Sequence, residues 1–303
     1  MTNRIGVDLG GTKIDVIVLA PDDRVIFEER VDTPKTYEGI VATIADLVKD
    51  AGEGIVGIGA PGSSGADGLW RNANIISCNG RPFAADLQNA TGREIRTEND
   101  ANCFALSEAI DGAGKGFRSV AFFTIGTGLG GGIVMDGKLV RGAHGEAGEF
   151  GHMSLPWMTE EDWPPTPCFC GKAGCVEMYV SGTGLKQDYA RVNGVSLDGP
   201  TIVALARQGD AKAIAALKRM QLRFARVIGN IINCIDPDIF VIGGGLSALP
   251  EFVEEMPPLV ATYSFSGKAR PLIRRAMYGD QSGVRGAARL WTLRGPATHG
   301  TSG

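Results

Sequence analysis

Two segments of the chain share a pattern in which a β-branched stretch runs into glycines and continues as a second β-branched stretch. They occupy residues 4–20 and residues 119–135. β-branched and aromatic residues favour strands, and glycines between two such runs favour a tight hairpin. A block of mixed strand and helix patterns follows each hairpin. The sequence therefore predicts a duplicated α/β fold of two domains with a cleft between them.

The length of the chain and its periodicity indicate where the two predicted domains lie. A chain of 303 residues is typical of about two domains. We predict a small N-terminal α/β domain at residues 1–118, joined by a C-terminal helix at about 284–294, and a large α/β domain at residues 119–283. Residues 295–303 are predicted to be a disordered tail.

A long helix is predicted in the large domain, from about Asp210 to Cys234. Apolar residues recur there at helical spacing, and Asp236-Pro237 stops the pattern. The predicted core stripe of this helix consists of Ile214, Leu217, Phe224, Ile228, Ile231 and Ile232.

Charge and apolar content exclude several classes of protein. The formal net charge is −4 with a pI near 5.5, whereas a nucleic-acid-binding surface needs a basic face. No apolar run approaches the roughly 20 residues that span a bilayer, and the N-terminus lacks the apolar stretch of a secretory signal. We therefore predict a cytoplasmic protein without a nucleic-acid or membrane partner.

The first glycine turn, Asp8 to Lys13, has the features of a phosphate-binding turn. Its glycines let backbone N–H groups approach a phosphate closely, Thr12 adds a hydroxyl donor, and Lys13 adds charge. Asp8 is placed to hold a hydrated Mg²⁺, which prefers one or two carboxylates together with phosphate oxygens. The alternative is a plain hairpin with an exposed lysine. The turn is not a Walker P-loop, which has a different spacing and enters a helix.

Two more glycine turns favour nucleotide binding over the plain hairpin. One follows the strand that begins at Ser119, and another follows a strand predicted at 239–242, at a strand end where α/β sheets bind ligands. The predicted nucleotide-binding residues are Asp8, Gly10, Gly11, Thr12, Lys13, Gly126, Thr127, Gly128, Gly130, Gly243 and Gly244.

The segment Glu98-Asn99-Asp100 offers a general base. An alcohol hydroxyl is a poor nucleophile near neutral pH, and a positioned carboxylate can accept its proton as the bond to phosphorus forms. Asp100 is the candidate base, and Asn99 is placed to bond a neighbouring hydroxyl. The alternative is a helix N-cap, which Asn and Asp also favour, and the two interpretations are compatible.

Three cysteines lie within eight residues, Cys168, Cys170 and Cys175. Three thiolates in a glycine-containing knuckle need a fourth ligand for tetrahedral zinc, and His152 is a better candidate than His144 or the tail residue 299. With four protein ligands the site is predicted to be structural. The alternative is a set of buried free cysteines beside a hydrogen-bonded histidine.

Together these motifs resemble the ROK family of bacterial sugar kinases, within the actin-like ATPase (ribonuclease H-like) superfamily. The resemblance runs from Ile5 to about Trp291 and implies an ATP-dependent hexose kinase with Mg²⁺ and a structural Zn²⁺, commonly assembled as a homodimer. It implies that Asp100 is the general base and that His152 ligates zinc with the three cysteines. The sugar-binding residues that it implies are Gly62, Asn74, Asn99, Glu149, His152 and Glu177.

Within the family, the sequence is most similar to the fructokinase (mannofructokinase) branch, through segments that include Asn72-Ala73-Asn74 and residues 79–83. This predicts phosphorylation of fructose, at the 6-hydroxyl. The N-acetylglucosamine kinase branch shares residues 99–108, so N-acetylglucosamine or another hexose or N-acylhexosamine is the alternative. One departure bears on the choice: residues 75–78 replace a segment that carries a tryptophan in fructokinase relatives.

Two other classes fit the resemblance less well. Transcriptional repressors of the family carry a helix-turn-helix ahead of the first hairpin, which here begins at Arg4. A non-catalytic sugar sensor would be expected to lack Asp100 or one of the glycine turns, and this sequence has both.

Overall fold

The computed structural model describes residues 2–65 and 67–292, so the predicted tail, with His299, lies outside the described residues. Within them, the strands are β1 (Arg4–Leu9), β2 (Lys13–Leu19), β3 (Val25–Asp32), β4 (Ile55–Ala60), β5 (Ser63–Ser64), β6 (Trp70–Arg71), β7 (Ile95–Asn99), β8 (Ser119–Ile125), β9 (Leu129–Met135), β10 (Lys138–Leu139), β11 (Ile239–Gly243) and β12 (Ile273–Arg275). The helices are α1 (Tyr37–Asp50), α2 (Phe83–Thr91), α3 (Asp100–Ile110), α4 (Gly182–Asn193), α5 (Gly199–Arg207), α6 (Ala211–Ile235), α7 (Met256–Ala261) and α8 (Ser282–Ala288).

Two five-stranded sheets repeat one topology, which confirms the duplicated α/β fold. The strand orders are β3-β2-β1-β4-β7 and β10-β9-β8-β11-β12. In each sheet the first three strands form an antiparallel meander, and the last two continue parallel to the third. Both glycine hairpins predicted from the sequence are therefore present, as β1–β2 and β8–β9.

The chain forms two compact units, each containing one of these sheets. The first unit contains the described residues up to Ser107, the segment Arg141–Gly145 and the described residues from Gln281 onward. The second contains Glu108–Val140 and Glu146–Asp280. The domain limits at 118/119 and 283/284 stay a prediction.

Glycines inside β1 and β4 let α8 lie directly against these strands. A Cβ on Gly6 would lie 2.1 Å from the carbonyl oxygen of Val284, and a Cβ on Gly57 would lie 2.0 Å from that of Ala287. No side chain fits into these gaps, so the backbones touch. The helix ends at Ala288 and a 3-10 turn follows over Leu290–Thr292, whereas the sequence predicts a single helix at about 284–294.

The long helix α6 agrees closely with its prediction. Asp210 caps its N-terminus by accepting a hydrogen bond from the backbone N–H of Ala213, and Asp236 ends it in a left-handed conformation. Most of the predicted stripe is buried, but Ile214 is 48% exposed and was assigned to the core wrongly. In the first turn of the helix it is the neighbouring Ala213 that faces the core, with 0% exposure, so Ile214 lies off the buried face. No helix among the described residues is both long and apolar enough to cross a membrane.

A buried ion cluster fixes the irregular segment after Leu155 to α6. Arg223 donates from Nε to Asp162 at 2.8 Å and from Nη1 to Asp188 at 2.9 Å, and Arg226 donates to the other oxygen of Asp162 at 2.9 Å. Arg219 donates twice to Asp188. The side chain of Asp162 is 1% exposed, so its charge depends on these arginines.

The substitution Asp162→Asn is expected to lower the free energy of unfolding by about 3 kcal/mol at neutral pH, because it leaves buried guanidinium groups without their counter-charge. Guanidinium chloride unfolding measures this loss. Asp136→Asn, which neutralises the exposed partner of Arg118, is the control and should change stability little. Equal losses in the two variants would contradict the assigned role of the cluster.

The loss of unfolding free energy in Asp162→Asn should also depend on pH. Burial raises the pKa of Asp162, but hydrogen bonds from Arg226, the Thr159 N–H and Arg223 outweigh it and hold the pKa at about 2. A carboxyl group with a lowered pKa stabilises the folded state above its unfolded pKa, and this contribution is lost as the pH falls toward the folded value. The difference between wild type and variant should be constant above about pH 5 and shrink from about pH 4 downward.

Candidate active site

The first glycine turn joins β1 to β2 and is closed by a hydrogen bond from the N–H of Gly10 to the carbonyl oxygen of Lys13 at 2.9 Å. The Thr33 hydroxyl donates to the Gly10 carbonyl oxygen at 2.7 Å and supports the turn from β3. A Cβ on Gly11 would meet no atom, and Thr12 is exposed. The Lys13 ammonium group forms an ion pair with Asp32. The turn is thus open to a ligand.

Asp8, the penultimate residue of β1, lies among other carboxylates. It pairs across the hairpin with Asp15, and burial together with the charges of Asp100 and Asp15 raises the pKa of Asp8 to about 8. Arg30, which forms an ion pair with Asp15, partly opposes this rise. A Cβ on Gly283 would lie 2.4 Å from Asp8 Oδ2, so this glycine of α8 makes room for the carboxylate.

Asn99 and Asp100 form the junction between β7 and α3. Asn99 Oδ1 accepts hydrogen bonds from the backbone N–H groups of Ala101 and Asn102, at 2.9 and 3.2 Å, so Asn99 caps the helix as the capping interpretation predicts. Asp100 begins the helix, and its Oδ1 accepts from the N–H of Ala101 at 2.8 Å. Burial raises the pKa of Asp100, which makes its carboxylate a better proton acceptor.

Gly62 lies beside this junction. Its carbonyl oxygen accepts a hydrogen bond from Asn99 Nδ2 at 3.1 Å, and its φ of +90° favours glycine. The following loop is held by Asn79, whose side chain bonds both the N–H and the carbonyl oxygen of Ala73. Asn74 is the next residue and is exposed. The first unit thus brings together Asp8, Gly62, Asn99 and Asp100 from the predicted site.

The second glycine turn, between β8 and β9, is held by the start of α4. The N–H groups of Gly182 and Thr183 donate to the carbonyl oxygens of Gly126 and Thr127, at 2.8 and 3.1 Å. Glu177 Oε2 accepts from the Leu129 N–H at 2.8 Å. One oxygen of this predicted sugar ligand therefore supports the predicted nucleotide turn.

The third glycine turn lies against the end of β8. A Cβ on Gly244 would come within 2.6 Å of the Ile125 carbonyl oxygen, and its φ is +79°. Because Ile125 directly precedes Gly126, the second and third turns are neighbours. Within the second unit, two predicted nucleotide turns and Glu177 thus lie together.

Four side chains of the second unit form a group suited to a metal ion. The ligand atoms of His152, Cys168, Cys170 and Cys175 all lie within 4.8 Å of one another. His152 Nδ1 is 3.7 Å from Cys168 Sγ, and the sulfurs of Cys170 and Cys175 are 3.5 Å apart. Zinc bonds of about 2.0–2.3 Å in a tetrahedron put ligand atoms roughly 3.5–3.8 Å apart, so these residues fit zinc.

Glu149 and His144 are exposed residues outside the metal-binding group. Glu149 is exposed and directly precedes the 3-10 turn Phe150–His152, whose last N–H donates to the Glu149 carbonyl oxygen. His144 is exposed and lies in the segment that belongs to the first unit, outside the metal-binding group.

Asp15 is a member of the carboxylate group that was not predicted from the sequence. The register of the first hairpin places it opposite Asp8, on the other arm of the glycine turn. Counting residues outward from the turn could have predicted this pair, because antiparallel partners lie on the same face of a sheet.

The chain was compared with protein families and with solved structures. The model of the ROK family matches residues 4–294. The chain is 40% identical, over 94% of its length, to N-acetyl-D-glucosamine kinases of Yersinia enterocolitica and Citrobacter koseri, and the match covers 98% of each.

Two solved structures extend the comparison. A ROK hexokinase from Thermus thermophilus is similar with a TM-score of 0.83 and 30% identity, over 94% of this chain and 96% of that one. A ROK family glucokinase from Streptomyces griseus, in complex with glucose and AMPPNP, has a TM-score of 0.76 and 31% identity, over 95% and 98% of the chains. The chain therefore belongs to the ROK family, has its actin-like ATPase fold, and is a sugar kinase.

Proposed function

We propose that this sugar kinase transfers the γ-phosphoryl group of ATP to the 6-hydroxyl of N-acetyl-D-glucosamine. The supporting observation is the 40% identity to N-acetyl-D-glucosamine kinases over nearly the whole of both chains. Identity to the ROK hexokinase and glucokinase is lower, at 30% and 31%. These relatives favour the N-acylhexosamine alternative over fructose.

Asp100 is proposed as the general base. A sugar hydroxyl attacks phosphorus more readily as it loses its proton, and Asp100 accepts that proton. The raised pKa of Asp100 supports this role, because burial strengthens the carboxylate as a base. The proposed sugar-binding residues are Gly62, Asn74, Asn99, Glu149, His152 and Glu177.

The glycine turns are proposed to bind ATP through their backbone N–H groups. Asp8 is proposed to hold Mg²⁺, and its position beside Asp15 and Asp100 fits a divalent cation, which would offset the crowded negative charge. When bound, Mg²⁺ neutralises phosphate charge during transfer. The proposed ATP-binding residues are those of the three turns, with Thr12, Lys13 and Thr127.

A structural zinc ion is proposed for His152, Cys168, Cys170 and Cys175. The ion would cross-link the turn that follows Glu149 to the knuckle that precedes Glu177. It thereby fixes two of the proposed sugar ligands through the backbone. A homodimeric assembly and a cytoplasmic location stay predictions.

Fructose is the second candidate substrate. The observation that favours it is the similarity of residues 72–74 and 79–83 to the fructokinase branch. The same fold and the same base would serve either sugar, so substrate choice depends on the residues around the ring.

Asp100→Asn is expected to lower kcat at least about 100-fold, because an amide cannot accept the hydroxyl proton. Coupled detection of ADP measures turnover, and calorimetry with AMPPNP should give unchanged nucleotide affinity. Asp46→Asn, at an exposed position of α1, serves as the control. Wild-type turnover by Asp100→Asn would exclude this residue as the base.

A panel of N-acetylglucosamine, fructose, mannose, glucose and N-acetylmannosamine separates the substrate candidates. We expect N-acetylglucosamine to give the highest kcat/KM, by about tenfold or more, since a substituent that fills its own pocket contributes roughly 1–3 kcal/mol. A higher kcat/KM for fructose would replace the proposed substrate and leave the proposed base untouched.

Zinc removal should weaken both stability and sugar binding. Metal analysis of purified protein is expected to give one zinc ion per chain, and Cys170→Ser should lower this content, the melting temperature and the affinity for sugar. Cys234→Ser removes an exposed thiol outside the metal-binding group and should change none of these. Zinc-free protein with an unchanged melting temperature would contradict the zinc site.

A further inference from the structure

We propose that Arg141 is a positioning residue, which acts through Glu98 on the junction that carries Asp100. This inference rests on the proposed role of Asp100 as the base. It assigns a function to an ion pair between two residues that lie 43 positions apart in the chain.

The course of the chain indicates that this ion pair belongs to the site. The segment Arg141–Gly145 packs with the first unit, although the residues before and after it belong to the second. Arg141 opens this segment and donates from Nε to Glu98 Oε2. Beyond this segment the chain continues to Glu149 and His152, two proposed sugar ligands.

Glu98 in turn bonds to residues on both sides of Asp100. Its Oε1 accepts from the backbone N–H of Asn99 at 3.0 Å and from Asn102 Nδ2 at 3.0 Å. Asn99 caps α3 and bonds Gly62, so the orientation of the junction depends on this carboxylate.

Asn102 makes the β7–α3 junction depend more strongly on Glu98. It is 4% exposed, and its Oδ1 has no hydrogen-bond partner among the described residues. If Asn102 also lost its hydrogen bond to Glu98, both polar groups of its buried amide would be unsatisfied. The first turn of α3 would then have to rearrange. Such a rearrangement would move Asp100.

Arg141 also brings a positive charge to a negative cluster. Burial and the nearby carboxylates of Glu98, Asp8 and Asp100 raise the pKa of the Cys103 thiol, and the guanidinium of Arg141 opposes this rise. The Glu98 side chain is only 10% exposed, so solvent screens its side of the ion pair with Arg141 only weakly.

An exposed ion pair usually contributes little to stability, and Arg141 is 41% exposed. The experiment must therefore separate positioning from stability. Arg207→Met is a matched control, because Arg207 is 48% exposed and pairs with Glu251, which is 17% exposed.

The test compares Arg141→Met, Arg141→Lys, Glu98→Gln and the double variant Glu98→Gln/Arg141→Met with wild type, Arg207→Met and Asp100→Asn. We expect kcat to fall on the order of 10- to 100-fold in Arg141→Met, because small misplacements of a catalytic group are costly. The KM for ATP, the melting temperature and the AMPPNP-binding stoichiometry should match those of Arg207→Met. Arg141→Lys should recover part of kcat, and the double variant should be no slower than the slower single variant.

The outcomes distinguish this inference from the proposed base. If Asp100→Asn is inactive while Arg141→Met keeps kcat within about twofold of wild type, Arg141 does not position the base. Additive losses in the double variant, or an equal loss in Arg207→Met, would also overturn the inference. Full turnover by Asp100→Asn would instead remove the base itself.

Discussion

The crowding of carboxylates at one edge of the first sheet is the constraint on which the rest of the site depends. β1 and β7 run parallel on either side of β4, so Asp8 near the end of one strand and Asp100 just after the other reach the same edge. Asp15 joins them through the hairpin register. A cluster like this opposes folding, because burial and the charges of Asp100 and Asp15 raise the pKa of Asp8. It is useful where a cation binds or a proton is accepted.

The two sheets share one topology but carry different chemistry. In the first hairpin the second-to-last pair before the glycine turn is Asp8 and Asp15, whereas the corresponding pair in the second is Thr124 and Gly130. The second turn therefore lacks these carboxylates, and one oxygen of its acidic neighbour, Glu177, accepts a hydrogen bond from the Leu129 N–H. Both sheets thus have a glycine turn with backbone N–H groups. The carboxylates that can hold a cation or accept a proton are concentrated at the first of these turns.

Features governed by local sequence could be predicted, and features governed by tertiary packing could not. The hairpins, the knuckle and the limits of α6 follow from periodicity, glycines and caps within short windows. The need for glycine at Gly6 and Gly57 arises only when α8, far along the chain, packs onto the strands. The contact between Arg141 and Glu98 likewise depends on a segment that packs with the other unit. Periodicity also failed at Ile214, because an apolar pattern does not show which residue of a turn faces the core, and here Ala213 takes that position.

Substrate choice shows the same limit. The resemblance to fructokinase relatives rests on short segments, several of them within residues 72–83. Identity over the whole chain instead favours N-acetyl-D-glucosamine kinases. Within that region, residues 75–78 depart from the fructokinase pattern. Ile76 is 76% exposed and Cys78 is buried, in a segment that carries a tryptophan in fructokinase relatives. Aliphatic and thiol side chains occupy less space than an indole, so the two branches differ in side-chain volume at this segment. The substrate alternatives thus differ in short segments such as residues 72–83, whereas the carboxylates and glycine turns proposed for phosphoryl transfer are the same for either sugar.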